Sequence, residues 1–242
     1  MKNTNLNGIS PQPEGYKGSL FRSPLPFFRK ETVVSGVRTA VVPASPGAGA
    51  SFVCGKLASE AKKPKAVVEL GSSGFYLSLN LQKRFSGKLF SFYEELMQGC
   101  SVKDISNPYS GINWLVRKPG KQEPLSESAL LRICSNAPEG NVFFDFSGLD
   151  EDRIFMLLPE MDRVILVIDP LPSKLIASAS FIENLSLICP QREIIVNKMN
   201  KGVFRKELEK FLGKCEYTEI PFIDPSIVYK AEYNCILPQY FV

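Results

Sequence analysis

The sequence predicts a doubly wound α/β domain, a mainly parallel sheet with helices on both faces, and three observations lead there. From residue 37 onward, short β-branched runs alternate with longer helical stretches. Several of the runs are apolar at almost every position, as strands are when helices cover both faces of a parallel sheet. The chain has 242 residues, 44% of them hydrophobic and 22% charged, which is enough for one substantial core and little more.

The elements follow in order. Val37, Val41 and Val42 make a first strand over 37–43, closed by Pro43, and a helix is expected over 50–61. Val67 and Val68 mark a second strand at 66–70, and a helix is expected at 91–97. Ile112 and Val116 bound a strand at 112–116, followed by a helix at 126–135. The apolar run Val142, Phe143, Phe144 gives a strand over 142–146, and Asp150 opens a helix over 150–158, where an acidic residue favours the helix N-terminus. The wholly apolar 164–168 is the next strand, with one helix over 173–186 after it; a last strand at 194–197 and a helix at 204–212 complete the series. Residues 1–35, with Pro11, Pro13, Pro24 and Pro26, show no sustained period and read as a loosely ordered arm ahead of a single domain over 36–242. Within that arm, Leu25, Phe27 and Phe28 beside Arg29 and Lys30 are expected to pack against the domain, and peripheral membrane contact stays open.

Composition removes several function classes. There is no histidine, so histidine acid/base catalysis, histidine triads and histidine metal ligands are all excluded. The net charge of +4 is spread along the chain, which argues against nucleic acid as a partner, and Lys62, Lys63 and Lys65 read as a solvated helix end. Six cysteines without a CxxC pair fit reduced thiols in a cytoplasmic protein, with Cys54 as a buried structural thiol. No apolar run approaches the roughly 20 residues of a membrane span.

In open parallel sheets ligands gather at the carboxyl ends of the strands. The first such turn reads Ala44-Ser45-Pro46-Gly47-Ala48-Gly49-Ala50-Ser51. Its small residues let a backbone approach an anion, and a helix N-terminus follows. A working phosphate loop ends in Gly-Lys-Ser/Thr; here Gly49 and Ser51 are in place, Ala50 stands at the lysine position and Pro46 removes one donor. A weak phosphate cradle and a plain glycine-rich turn capped by Ser51 both remain open on these residues alone. Asp145 and Asp150 could form an acid/base pair, but Asp150 reads better as a helix-start residue favoured by the helix dipole.

The order and spacing of Val37 to Val42 with this loop, Ser91 to Leu96, Asn141 to Asp150, Met161 to Val167, Val196-Asn197-Lys198 and Ile220 to Pro225 resemble the MinD/ParA family of deviant P-loop ATPases, over about residues 36–238. The resemblance implies a P-loop NTPase-like domain with ATP or ADP and Mg²⁺ held weakly, or no cofactor. It implies nucleotide contacts at Gly47, Ala48, Gly49, Ala50 and Ser51, a purine contact at Asn197, and a base-side loop including Pro221 and Asp224. It places Mg²⁺ at Ser51 and Asp145. The family's partner-crossing lysine falls at Ser45, its phosphate lysine at Ala50 and its water-positioning aspartate at Gly71, so no catalytic residue is expected and ATPase activity is expected to be feeble. Asn197 reads equally as a strand-end cap. The expected function is a degenerate pseudo-ATPase, similar to TadZ/CpaE-like localisation proteins, acting on a protein partner and able to form a homodimer. The alternative is an active ATP-dependent switch that cycles between monomer and dimer and borrows a cation such as Lys56 or Lys198.

Overall fold

The computed structural model describes residues 36–76, 91–118, 124–213 and 215–224. The expected arm over 1–35, and the end of the chain from Pro225, lie outside the described residues. Eight strands form one sheet: β1 (Arg38–Pro43), β2 (Lys65–Glu69), β3 (Pro108–Tyr109), β4 (Ile112–Leu115), β5 (Asn141–Asp145), β6 (Arg163–Ile168), β7 (Glu193–Met199) and β8 (Thr218–Pro221). Their order across the sheet is β3-β4-β2-β5-β1-β6-β7-β8. Every pairing is parallel except β3 with β4. The described helices are α1 (Ala50–Glu60), α2 (Phe92–Met97), α3 (Glu127–Ser135), α4 (Glu151–Leu157), α5 (Pro172–Ala177), α6 (Ala179–Ile188) and α7 (Arg205–Leu212).

Alternation along the central strands builds a core on each face. Ala40, Val42, Ala66, Val68, Val142, Phe144, Leu166 and Ile168 enter one apolar cluster. Val41, Val67, Phe143, Ile165 and Val167 enter the other, together with Val53, Cys54 and Ala58 of α1. Cys54 is the buried thiol that its position suggested, and burial pushes its pKa up. This two-sided burial explains why β1, β5 and β6 are almost continuously apolar.

Two details differ from the sequence expectation. The helix expected over 173–186 is two helices, α5 and α6, broken at Ser178. The Ser178 hydroxyl donates to the carbonyl of Lys174 at 2.7 Å, competing with the helix ladder there. The edge strands β3 and β8 were not foreseen: β3 has two residues, and β8 carries Thr218, Glu219 and Pro221, so neither presents an apolar run. A proline is tolerated at such an edge. Among the described residues no helix is long and apolar enough to cross a membrane.

Candidate functional site

The chain runs from β1 to β2 on one side of the sheet and from β5 to β6 on the other, so the turn after β1 sits where the crossovers change direction. The turns after β2, β5 and β6 and the end of β7 gather around it.

The loop holds its shape through the Ala44 N–H on Val167 O (2.9 Å) and the Ala48 N–H on Ser45 O (3.1 Å). Gly47 and Gly49 both take left-handed φ, 78° and 93°. Gly49 is the N-cap of α1 and supplies no side-chain cap. Ser51 therefore does not cap the helix, as the plain-turn reading required; it lies inside the first turn. Among the described residues the N–H groups of Gly47, Gly49, Ala50 and Ser51 donate to no backbone acceptor, which leaves a concave run of donors at a helix N-terminus. Ala50 is buried, and so is Ser45, whose Oγ has no hydrogen-bond partner among the described residues.

Behind the loop the Ser51 hydroxyl donates to Ser147 Oγ at 3.2 Å. Asp145, fully buried at the end of β5, accepts from Ser72 Oγ at 3.2 Å and from the Ser147 N–H at 3.0 Å. Burial raises the Asp145 pKa, and the nearby hydroxyls of Ser51, Ser147 and Ser72 with the Ser147 N–H oppose it. A hydroxyl and a carboxylate oxygen suit Mg²⁺, which keeps most of its waters and takes the rest of its shell from phosphate. Among the described residues no cluster of three metal-ligating side chains exists, so Ser51 and Asp145 would hold such an ion only together with a nucleotide. The free N–H groups fit a phosphate, and Mg²⁺ would supply charge neutralisation there.

Asn197 and Lys198 arrive from β7. Val196 pairs with Glu219 and Met199 with Pro221, so β7 carries one extra residue between these pairs. That bulge, with Lys198 at φ 63°, turns two consecutive side chains onto one loop, which a regular strand would send to opposite faces. Asn197 Nδ2 donates to Ala48 O at 2.8 Å, and Lys198 Nζ donates to Gly47 O at 2.5 Å and to Asp169 Oδ2 at 2.7 Å. Asn197 is thus neither a strand cap nor idle: it braces the loop. A Cβ on Gly49 would lie 2.2 Å from Asn197 Nδ2, so only glycine fits there. Pro221 closes β8 and Asp224 lies in the segment after it, both exposed; the Phe222 N–H ties that segment to Met199 O at 2.6 Å, two residues beyond Asn197.

Four participants escaped the sequence reading: Ser72, Ser147, Asp169 and Lys174. Lys174 Nζ donates to Pro46 O at 3.1 Å. Each comes from a turn or short helix whose approach depends on sheet order, so only the assembled strands reveal them. Of the two cations considered as substitutes, Lys56 pairs with Glu60 along α1, and Lys198 alone reaches the loop.

At the other wall, Glu69 is wholly buried and its carboxyl accepts the N–H groups of Phe75 (2.6 Å), Arg117 (2.9 Å) and Tyr76 (3.4 Å). Burial, opposed by these donors, pushes its pKa up to about 8. A carboxyl that holds its proton in the native state, against about 4.3 in the unfolded chain, stabilises the fold fully below about pH 4 and loses that contribution as pH rises towards 8. Urea unfolding at pH 5.5 and 7.5 should show a loss of about 1 kcal/mol per pH unit that Glu69→Gln largely removes; equal slopes in both proteins would mean that the carboxyl is ionised in the fold. Glu69 thus ties the segment after β2 to the segment after β4, and Gly71 beside it offers no side chain.

No protein-family model matches the sequence, and no curated protein matches it. Solved structures do. The chain is similar to a putative plasmid partition protein of Borrelia burgdorferi bound to AMPPNP (TM-score 0.63, 14% identity, 82% of this chain and 90% of that one). It is similar to the septum site-determining protein MinD of Pyrococcus horikoshii complexed with Mg-ADP (TM-score 0.62, 14% identity, 81% and 84%). It is also similar to a ParA family ATPase of Chlorobium tepidum (TM-score 0.57, 16% identity, 84% and 90%). The fold is that of the MinD/ParA-type P-loop ATPases.

Proposed function

We propose that this protein is a pseudo-ATPase of the MinD/ParA fold, an interaction or localisation module that holds ATP or ADP with Mg²⁺ weakly and hydrolyses little or none. The observation that carries this reading is the closure at Gly71. A Cβ there would lie 2.6 Å from the Gly148 carbonyl carbon, so the turns after β2 and β5 meet backbone to backbone where a water-positioning carboxylate would have to enter. Phosphoryl transfer depends on positioning and on cationic stabilisation, and the loop's own positions Ser45 and Ala50 contribute no charge. The donor run on the loop supports residual anion binding. Leu171, Ile176 and Phe204, exposed around a groove of about 450 Å³ between α5 and α7, are the kind of surface that supports a protein partner or a second copy.

The competing reading, an active switch ATPase, draws on Lys198 and Lys174 at the loop but finds no carboxylate at Gly71 to orient water. Phosphate release from Mg-ATP decides between them. The expected result is release no faster than that of the Ser51→Ala variant; steady turnover that Ser51→Ala abolishes would overturn the proposal.

A further inference from the structure

We infer that Lys174 is the phosphate-binding cation of this loop, placed to take the outer phosphoryl groups of a nucleoside di- or triphosphate or of an inorganic polyphosphate. This rests on the reading of the loop as a weak anion site and adds the residue that gives it charge. A run of N–H donors without a cation binds phosphate weakly, and a charge-assisted hydrogen bond adds roughly ten- to a hundredfold. Among the described residues two ammonium groups touch the loop backbone, Lys174 on Pro46 O and Lys198 on Gly47 O.

They are not equivalent. Lys198 is paired at 2.7 Å with Asp169, which is 3% exposed, so its charge is already neutralised and its work is to fasten Gly47 to the turn after β6. Lys174 has no carboxylate at ion-pair distance among the described residues. Its ammonium rests on a neutral carbonyl, a partner that a phosphoryl oxygen outcompetes.

The surroundings prepare it for that exchange. The Lys174 backbone carbonyl accepts from both the N–H (3.0 Å) and the hydroxyl (2.7 Å) of Ser178, so the break between α5 and α6 pins the residue that carries the charge. Ser45 precedes Pro46, and its Oγ, in a side chain 7% exposed, is left without a partner. A buried unpaired hydroxyl is destabilising. One residue before the carbonyl that holds the Lys174 ammonium, it marks a place that an oxygen-bearing anion would satisfy. Ser45 lacks the charge of a loop lysine, and Lys174 brings that charge to the neighbouring carbonyl from another element of the same chain.

The test is calorimetric titration of the full chain, in Mg²⁺, with ATP, tripolyphosphate and AMP, for the native protein, Lys174→Met, Lys174→Arg and Lys201→Met as an exposed-cation control. Lys174→Met should weaken ATP binding about tenfold or more, Lys174→Arg should restore most of it, and Lys201→Met should change nothing. The response to AMP, measurable or not, should be the same in every variant, because AMP lacks the outer phosphoryl groups. Tripolyphosphate binding that follows the same pattern assigns the site to a phosphoryl chain as such; its failure to bind while ATP responds assigns the site to nucleotides. Three outcomes overturn the inference: ATP affinity unchanged in Lys174→Met, ATP and AMP weakened alike, or no binding of ATP or tripolyphosphate by the native protein at millimolar concentration. None of these depends on turnover, and the pseudo-ATPase reading falls instead to phosphate release.

Discussion

Replacing Ala50 by lysine is expected to tighten Mg-ATP binding by about ten- to a hundredfold while leaving hydrolysis at background. Ala50 opens α1 directly after Gly49, whose left-handed φ of 93° turns the chain into the helix, so a side chain here starts at the rim of the free N–H groups. A charge-assisted hydrogen bond to phosphate contributes about 1.5–3 kcal/mol, which sets the expected range. Without nucleotide the same ammonium would enter a buried position beside Ala48 and Val53, and burying an unpaired cation is costly. The melting temperature should therefore fall in the absence of ligand and recover on adding Mg-ATP, an opposite pair of shifts that non-specific damage does not produce. Phosphate release should stay flat because Gly71 still supplies no carboxylate. An unchanged affinity would mean that the donors around Gly47 and Gly49 are not a phosphate cradle at all.

How far the sequence could be read depended on whether a property is local. Strands β1, β5 and β6 were legible because burial on both faces demands apolar residues at every position, and that demand is written along the chain. The loop from Ala44 to Ser51 was legible because left-handed turns need glycine, and Gly47 and Gly49 adopt that conformation. The short edge strands β3 and β8 were not, since one neighbour and a few hydrogen bonds suffice to order them. The break at Ser178 was hidden because a serine is tolerated inside a helix and acts there only through the bond it makes to Lys174 O. At the site, Ser51 and Asp145 were assigned together, and the structure joins them through Ser147. Asn197 was assigned to a purine or to a strand end; the reach of its amide to Ala48 O was not legible, because the bulge that redirects it exists only once β7 and β8 pair. Lys174 and Asp169 come from the crossover after β6, and nothing in their own neighbours along the chain points to the loop.

Introducing aspartate at Gly71, the position where the MinD/ParA resemblance expects a water-positioning carboxylate, is expected to destabilise the fold rather than to activate the site. Its Cβ would stand 2.6 Å from Gly148 C and 2.7 Å from both Leu149 N and Ser147 O. Those are backbone atoms, and they are held. Phe146 N–H is bonded to Val41 O, Leu149 N–H to Phe146 O, and Ser147 N–H to Asp145 Oδ1, so the turn after β5 has little room to retreat. Gly148 is itself at a left-handed φ of 81°. On the other side Arg117 Nη1 donates to Gly71 O at 3.3 Å and keeps the turn after β2 in place. Overpacking of this kind costs about 1–3 kcal/mol, and a third carboxyl near Glu69 and Asp145, both buried, adds to it. A loss of about 3 kcal/mol or more corresponds to a melting temperature lower by about 6–12 °C in a domain of this size. Gly71→Ala separates the two causes: it should reproduce the steric part, about 2–12 °C, without the charge. Neither variant should gain phosphate release, even combined with Ala50→Lys. A missing catalytic carboxylate here is therefore not one substitution to be reversed, because the two turns have closed around its absence and the sheet now depends on that contact. Melting of Gly71→Ala indistinguishable from the native protein would show the turns to be apart in solution, and the site would then be open to repair.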